Sequence, residues 1–425
     1  MREGKRQLSL AFVVERTPEF RYLGPVIDAA MEAGHAVSLL LDQSQPSSGP
    51  KGYQFPSMSS VPRFRHGTPS LVSYLGPDGL LEHLRSGGLD GIVASRGPTH
   101  YFRGTKPGGL PAWTSVQEHL DFVAFGLDRI TSSDLNCVYS PHWLDVAARL
   151  YGVSDEELRK QLEATSVCVG SCQSDGLALV DPEETRRRWS IPADKPVVVY
   201  IPSNRASDLY FRAIHAPNVL LRAAYVALAR RWRLLRPWLG VFSDRMMVRA
   251  VRQFCDKNGA FLLVKTRQKN PLPAYLHAAA DRIVADETEY PAGILAPLSV
   301  ASLCIASYLS DTVLDAAAAG VPFFAFHADS DDWPLSAPDV GLKGTFADAF
   351  YNLDAGGAYN YPGVSYSMPL VEAVRSLPSK ALDNFPLDTR ALSAYVSRYL
   401  GYADGRCSER VVDAMEQRIG TASRR

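Results

Sequence analysis

The stretch SYLSDTVLDAAAAGVPFFAF (307–326) puts hydroxyls and two acids at a strand-to-helix turn, then closes an alanine-rich helix with Gly-Val-Pro before another apolar run. Ser310 stands where an N-cap would, with Asp311 in the first helical turn. Free amides and the helix dipole at such a turn attract anions. Ser307, Ser310 and Thr312 could line a phosphate, and Asp315, one turn beyond Asp311 on the same face, could accept from ribose hydroxyls. The plainer alternative is that Asp311 and Asp315 complement the dipole while Ala316–Ala319 pack on a sheet.

Two other strand ends carry related groups. FLLVKTRQKNP (261–271) delivers Lys265 and Arg267 on one face, cations suited to a diphosphate. VVVYIPSNRASD (197–208) breaks at Pro202 into Ser203, Asn204 and Arg205. A parallel sheet would bring the carboxyl ends of all three stretches to one edge.

A proton acceptor is also needed if a hydroxyl is to attack. Glu15, at the end of the first strand, is the first candidate, and the Glu118–His119 pair is the second. His66 and His100 fall in loops without an assigned place, and Asp244 would serve as nucleophile in a reaction that retains configuration. The run DSDDW (329–333) reads more readily as a solvated loop than as a metal-binding set, and helix dipoles with cations would offset a leaving phosphate, so no metal or other cofactor is expected.

The elements that must hold these groups alternate along the chain. QLSLAFVV (7–14), AVSLLLD (36–42), LDGIVAS (89–95) and PAWTSVQ (111–117) read as strands. GPVIDAAMEAGH (24–35), LLEHLRSG (80–87) and VYSPHWLDVAARLYG (138–152) read as helices. The second half repeats the style with strands at 197–203, 259–266 and 321–326, an apolar segment at 294–307, and helices across 217–258. The pattern predicts an α/β chain of two Rossmann-like domains facing across a cleft, with boundaries at 1–165, 166–390 and a helical segment 391–425 that packs back on the first domain. There is no G-x-G-x-x-G and no G-x4-G-K-[ST], which argues against a dinucleotide dehydrogenase and a P-loop NTPase.

Lys plus Arg (45) equals Asp plus Glu (45), so a nucleic-acid partner is not expected. The six cysteines lack a second pair or His cluster for zinc and read as reduced core thiols of a cytosolic protein. The apolar run near the N-terminus stops at Glu15, short for a signal sequence, and no window reaches the ~20 apolar residues of a membrane span. A cytoplasmic protein follows as the expectation. RRWRLLRPW (230–238), four arginines among two tryptophans, fits either peripheral contact with an anionic membrane or an amphipathic helix covering its own core.

The order of these pieces resembles the GT-B glycosyltransferases, in particular the CDP-glycerol glycerophosphotransferases and bacterial capsule and lipopolysaccharide sugar transferases. SVCVGSCQSD (166–175) is similar to a V-x-G-S-P-x-x-D linker strand, LLVKTRQKNP to an R/K-x-H-P segment, and ASLCIASYLSDTVLDAAAAGVPFFAF to an S-D-x-S-S segment that runs on to a proline. DGRCSERVVDAM (404–415) resembles the helix with which such chains finish. The chain departs at Arg267, where the pattern has His, and at Asp311, where it has a second Ser. The resemblance implies a bacterial enzyme that moves a sugar or polyol phosphate from a CMP-, CDP- or UDP-linked donor to a glycan or lipid-linked acceptor. Two rivals stay open: a non-hydrolysing UDP-sugar 2-epimerase, and a non-catalytic scaffold of the same fold.

Overall fold

The computed structural model describes residues 6–44, 61–118, 130–150, 156–202, 220, 244–266, 272, 274–285, 288–307, 309–327 and 353–422. Two units are resolved by their contacts: residues 1–181, 287–296 and 393–425 form one, and 182–286 with 297–392 the other.

The first unit is built on β1 (Ser9–Val14), β2 (Ala36–Asp42), β3 (Ser70–Tyr74), β4 (Gly91–Ala94), β5 (Ala112–Val116), β6 (Leu135–Val138) and β7 (Ser166–Cys168). All neighbours are parallel, in the order β3-β2-β1-β4-β5-β6-β7. This is the doubly wound order, with its reversal between β1 and β4. β1 is buried on both faces, as its unbroken apolar sequence requires. Leu10, Phe12 and Val14 join the core beneath the Phe20–Glu32 helix, while Ala11 and Val13 pack with Tyr74, Trp113 and Leu84 on the other side.

The helix Cys407–Ala422 covers the same face as Phe20–Glu32, contributing Val411, Met415 and Ile419. Its N-terminus is tied down by Asp175, whose Oδ1 accepts the Cys407 amide at 3.1 Å and whose Oδ2 accepts the Ser408 amide at 2.7 Å. These satisfy two amides that the helix itself cannot. Asp175→Ala is therefore expected to cost about 1–3 kcal/mol in urea denaturation; an unchanged midpoint would mean that water replaces the cap. The preceding segment is fixed by Ser140 Oγ donating to Arg398 O (2.5 Å) and Trp143 Nε1 donating to Tyr399 O (2.8 Å). Gly401 ends that segment at φ +75°, where a Cβ would come within 2.0 Å of Tyr139 O, so no other residue fits.

The second unit carries β8 (Val197–Ile201), β9 (Phe261–Lys265), β10 (Arg282–Val284), β11 (Leu303–Ala306), β12 (Phe323–His327) and β13 (Ser365–Pro369). They form a parallel sheet in the order β10-β9-β8-β11-β12-β13, the same winding, reversing between β8 and β11. The Asp244–Lys257 helix lays Met247, Val251 and Phe254 on Val198, Leu262 and Phe324.

Several expected elements are corrected. The helix expected at 138–152 starts only at Pro141, because Leu135–Val138 is an interior strand. β3, β10 and β13 lie where no strand was expected, all at sheet edges. In the segment 294–307 the start is a short helix, Leu295–Ser299, while β11 is the strand expected ahead of the turn that begins at Ser307. β7, expected at the head of the second domain, pairs with β6 in the first sheet.

Candidate functional site

The winding reversal in the first sheet places the carboxyl ends of β1 and β4 side by side, the position where open α/β sheets bind ligands. Beyond β1 come Glu15, Arg16 and a one-turn 3-10 helix, Thr17–Glu19, whose last residue is Glu19. Beyond β4 come Ser95, Arg96 and a short helical turn Pro98–Tyr101 that holds His100. Gln117 and Glu118 follow β5. A chain that ends three parallel strands in charged residues thus gathers three carboxylates, two guanidiniums and an imidazole.

Two sets of contacts order the group. His100 Nε2 lies 2.9 Å from Glu15 Oε2 and 3.3 Å from Arg96 Nη1. The shorter contact assigns the ring hydrogen to Nε2, donating to Glu15, which leaves Nδ1 with the basic lone pair. Both side chains keep partial solvent access, 14% for His100 and 28% for Glu15. Burial alone would raise the Glu15 carboxyl, but the His100 hydrogen bond and charge, with Arg96 and Arg16, outweigh it and hold the carboxyl below its ordinary value.

The second set is Arg16, Arg96 and Glu118. Arg16 Nη2 donates to Glu118 Oε1 at 2.7 Å, and Arg96 Nη2 sits 3.6 Å from Glu118 Oε2. Burial opposes the charge on Arg16, yet Glu118 and Glu19 hold it protonated above its usual range. Glu118, expected as part of a proton-accepting pair, is placed here as the counter-ion of two arginines; His119 lies outside the described residues. His66 pairs with Glu32 at 3.8 Å.

In the second unit the carboxyl ends of β9, β8 and β11 are parallel neighbours. Lys265 is buried and its Nζ donates to Thr266 O at 3.0 Å. Ser307 is fully buried directly after β11. The helix Thr312–Ala318 has Asp311, not Ser310, at the residue before its first turn, and Asp311 makes no side-chain cap. Ser310 instead sits one place earlier, its Oγ 3.1 Å from Thr312 Oγ1 and accepting the Thr312 amide at 3.4 Å. Asp311 already has helical backbone angles, so Ser310 makes the N-cap contact expected of it, accepting the amide two residues on. Asp315 is half-buried near Cys304, whose thiol is pushed up first by burial and then by the Asp315 charge. Asp244 opens the Asp244–Lys257 helix. Ser203, Asn204, Arg205, Arg267, the DSDDW run and residues 230–238 lie outside the described residues. Among the described residues no His, Cys, Asp and Glu group could hold a metal ion.

Glu19, Arg16, Ser95 and Arg96 were missed in the sequence. A signal was present: Glu15 and Glu19 are four residues apart after a buried strand, and LDGIVAS, itself read as a strand, ends in Ser95 and is followed by Arg96. Pairing the ends of these two strands required the winding order.

No family model matches the sequence. No curated protein matches it either. Solved structures do match over nearly the whole chain. Arabidopsis thaliana UGT89C1 complexed with UDP-L-rhamnose aligns at TM-score 0.52 and 11% identity, covering 98% of this chain and 100% of that one. A Listeria monocytogenes protein assigned as a UDP-N-acetylglucosamine 2-epimerase aligns at TM-score 0.51 and 11% identity, covering 97% and 96%. The glycosyltransferase of kitacinnamycin aligns at TM-score 0.50 and 12% identity, covering 97% and 99%. The chain has the GT-B fold: two parallel-sheet, Rossmann-like α/β domains.

Proposed function

We propose that the protein is a glycosyltransferase that moves a sugar, or a polyol phosphate, from a nucleotide-activated donor to an acceptor hydroxyl. The observation that carries this reading is the Glu15–His100 pair at the winding reversal of the first sheet. A carboxyl held below its ordinary value is a weak proton acceptor and a good anchor for an imidazolium. Glu15 therefore orients the ring, and His100 Nδ1 takes the proton as the acceptor oxygen attacks the anomeric carbon. The bond to the nucleotide phosphate breaks, and the leaving phosphate carries the electron pair away. Ser307, Ser310, Thr312 and Lys265 are the groups of the second unit assigned to those phosphates, and Asp315 to the ribose. The surface-polymer acceptor, a bacterial cytoplasmic setting and a peripheral membrane position rest on the family resemblance; among the described residues no helix is long and apolar enough to cross a membrane.

One observation favours a second reading. A 2-epimerase needs several acids around the sugar, and the structure gathers Glu15, Glu19 and Glu118 where the sequence left them scattered. The two reactions separate by product: an epimerase yields a second nucleotide sugar with no acceptor present, a transferase releases nucleotide only with one.

The test begins with thermal denaturation in the presence of CMP, CDP, UDP, UMP, GDP or dTDP, on the native chain and on Asp315→Ala. A bound nucleotide at a hundred times its Kd stabilises by about 2.7 kcal/mol. Stabilisation by one nucleotide, lost in the variant, is the expected result and names the donor class. No stabilisation by any of them at millimolar concentration would replace the enzyme reading with a scaffold.

A further inference from the structure

We propose that Glu19 is the positioning residue of this site: its side chain ties the turn that carries Glu15 to the turn that carries His100. The inference rests on the Glu15–His100 pair being the proton-accepting unit, and it concerns how that pair is held.

Glu19 has no solvent exposure, which is rare for a carboxyl unless it is paired or uncharged. Its Oε2 accepts the backbone amide of Glu15 at 2.8 Å, fixing the first residue after β1. Its Oε1 lies 3.3 Å from Ser95 Oγ, the first residue after β4. Ser95 Oγ is in turn 3.4 Å from Tyr101 Oη, next in sequence to His100, whose ring meets Tyr101 edge-on at 4.9 Å. One carboxyl therefore spans both strand ends: it holds the backbone of Glu15 directly and reaches His100 through Ser95 and then Tyr101. Ser95 Oγ donates to Glu19 Oε1, and Oε2 accepts from the Glu15 amide.

The groups facing Glu19 favour its neutral form. Burial acts first, and the carboxylates of Glu118 beyond β5 and Glu15 beyond β1 add repulsion. Against them stand the Arg16 guanidinium, 3.6 Å away, and the Glu15 amide. Burial and repulsion win, and the carboxyl is pushed up to about 8. The phenols of Tyr22, Tyr74 and Tyr101 also face it and stay uncharged, each pushed up chiefly by its own burial. Arg96 reaches Tyr22 and Tyr101. Ionising Glu19 would place a third negative charge in the group, beside Glu15 and Glu118.

The sign of the linked stability follows. Below pH 4.5 the acid is protonated folded or unfolded. From 4.5 to about 8 the unfolded chain releases the proton and the folded chain keeps it, so stability falls as pH rises, levelling off above 8.

The test is titration rather than turnover, so it stands whether or not the transferase reading does. The native chain, Glu19→Gln and Glu19→Ala are labelled with 13C at histidine Cε1, and the His100 signal, one of nine, is assigned by its loss in His100→Gln. The native signal is expected to show its own inflection and a second near pH 8. Glu19→Gln cannot ionise but still accepts the Glu15 amide, so the second inflection should vanish and the first stay in place. Glu19→Ala should move the first as well. A Glu19→Gln curve that overlays the native one, or a Glu19→Ala curve with an unmoved first inflection, would overturn the proposal. If the alanine variant fails to fold, the glutamine variant decides through a second readout: its melting point should gain on the native chain between pH 5 and 8, and a constant difference would also overturn it.

Discussion

His100→Ala is expected to lower nucleotide release in the presence of acceptor by about 100- to 10,000-fold, the contribution of a positioned general base. Affinity for the nucleotide should not change, because His100 and the residues assigned to the donor belong to different units. Glu15→Gln keeps a hydrogen-bond acceptor beside the ring but removes the charge that steadies the imidazolium. Its loss should be in the same direction, and the double variant should fall little below His100→Ala alone, since the two residues act as one. The measurement is steady-state release, with the thermal shift by nucleotide as the control. A His100→Ala enzyme within a few-fold of the native rate would return the role of base to Glu15, the group that the strand end first suggested.

Glu118→Ala is the substitution expected to cost most stability outside the hydrophobic core. It removes the shared partner of Arg16 and Arg96, side chains that are only 23% and 13% exposed, and leaves Arg16 Nη2 without its 2.7 Å acceptor. Breaking a largely buried pair by deleting one member typically costs about 3–5 kcal/mol. The partial exposure of Arg16 points to the lower end of that range. Urea denaturation at pH 7 measures it. A loss under about 1 kcal/mol, the range of exposed pairs, would show that water reaches both guanidiniums and that the group is looser than its distances imply.

What the sequence revealed, and what it hid, follows burial. Strands enclosed on both faces, such as β1, β2, β8 and β9, announce themselves as unbroken apolar runs. The edge strands do not. SLVSY at β3 is half polar, RIV at β10 has three residues, and SYSMP at β13 carries hydroxyls and a proline, tolerable only where one side of the ladder is free. Leu135–Val138 was not seen as a strand, and its last residue was taken into the helix that follows, because four residues are too few to show a period. The site shows the same division. Glu15 was legible as an acid at the end of a strand. Its partner was not, because His100 is 85 residues away in sequence and meets it only through the order β1-β4. Glu19 was hidden for another reason: an acid four residues past a strand looks like surface until burial is known.

The first unit is assembled from three separated stretches of chain, and this orders events during synthesis. The sheet β1 to β7 is complete once residue 168 has emerged, but Cys137, Val169 and Cys172 belong to a core that Val411 and Met415 help to close. Until those residues leave the ribosome, a strip of apolar surface stays open to water and to other nascent chains while the second unit is being made. The second unit has its own core and can condense during that wait. The half of the molecule made first is thus finished last. A nascent chain stalled between residues 300 and 400 should draw more chaperone than either the full chain or one stopped before β1 has a partner.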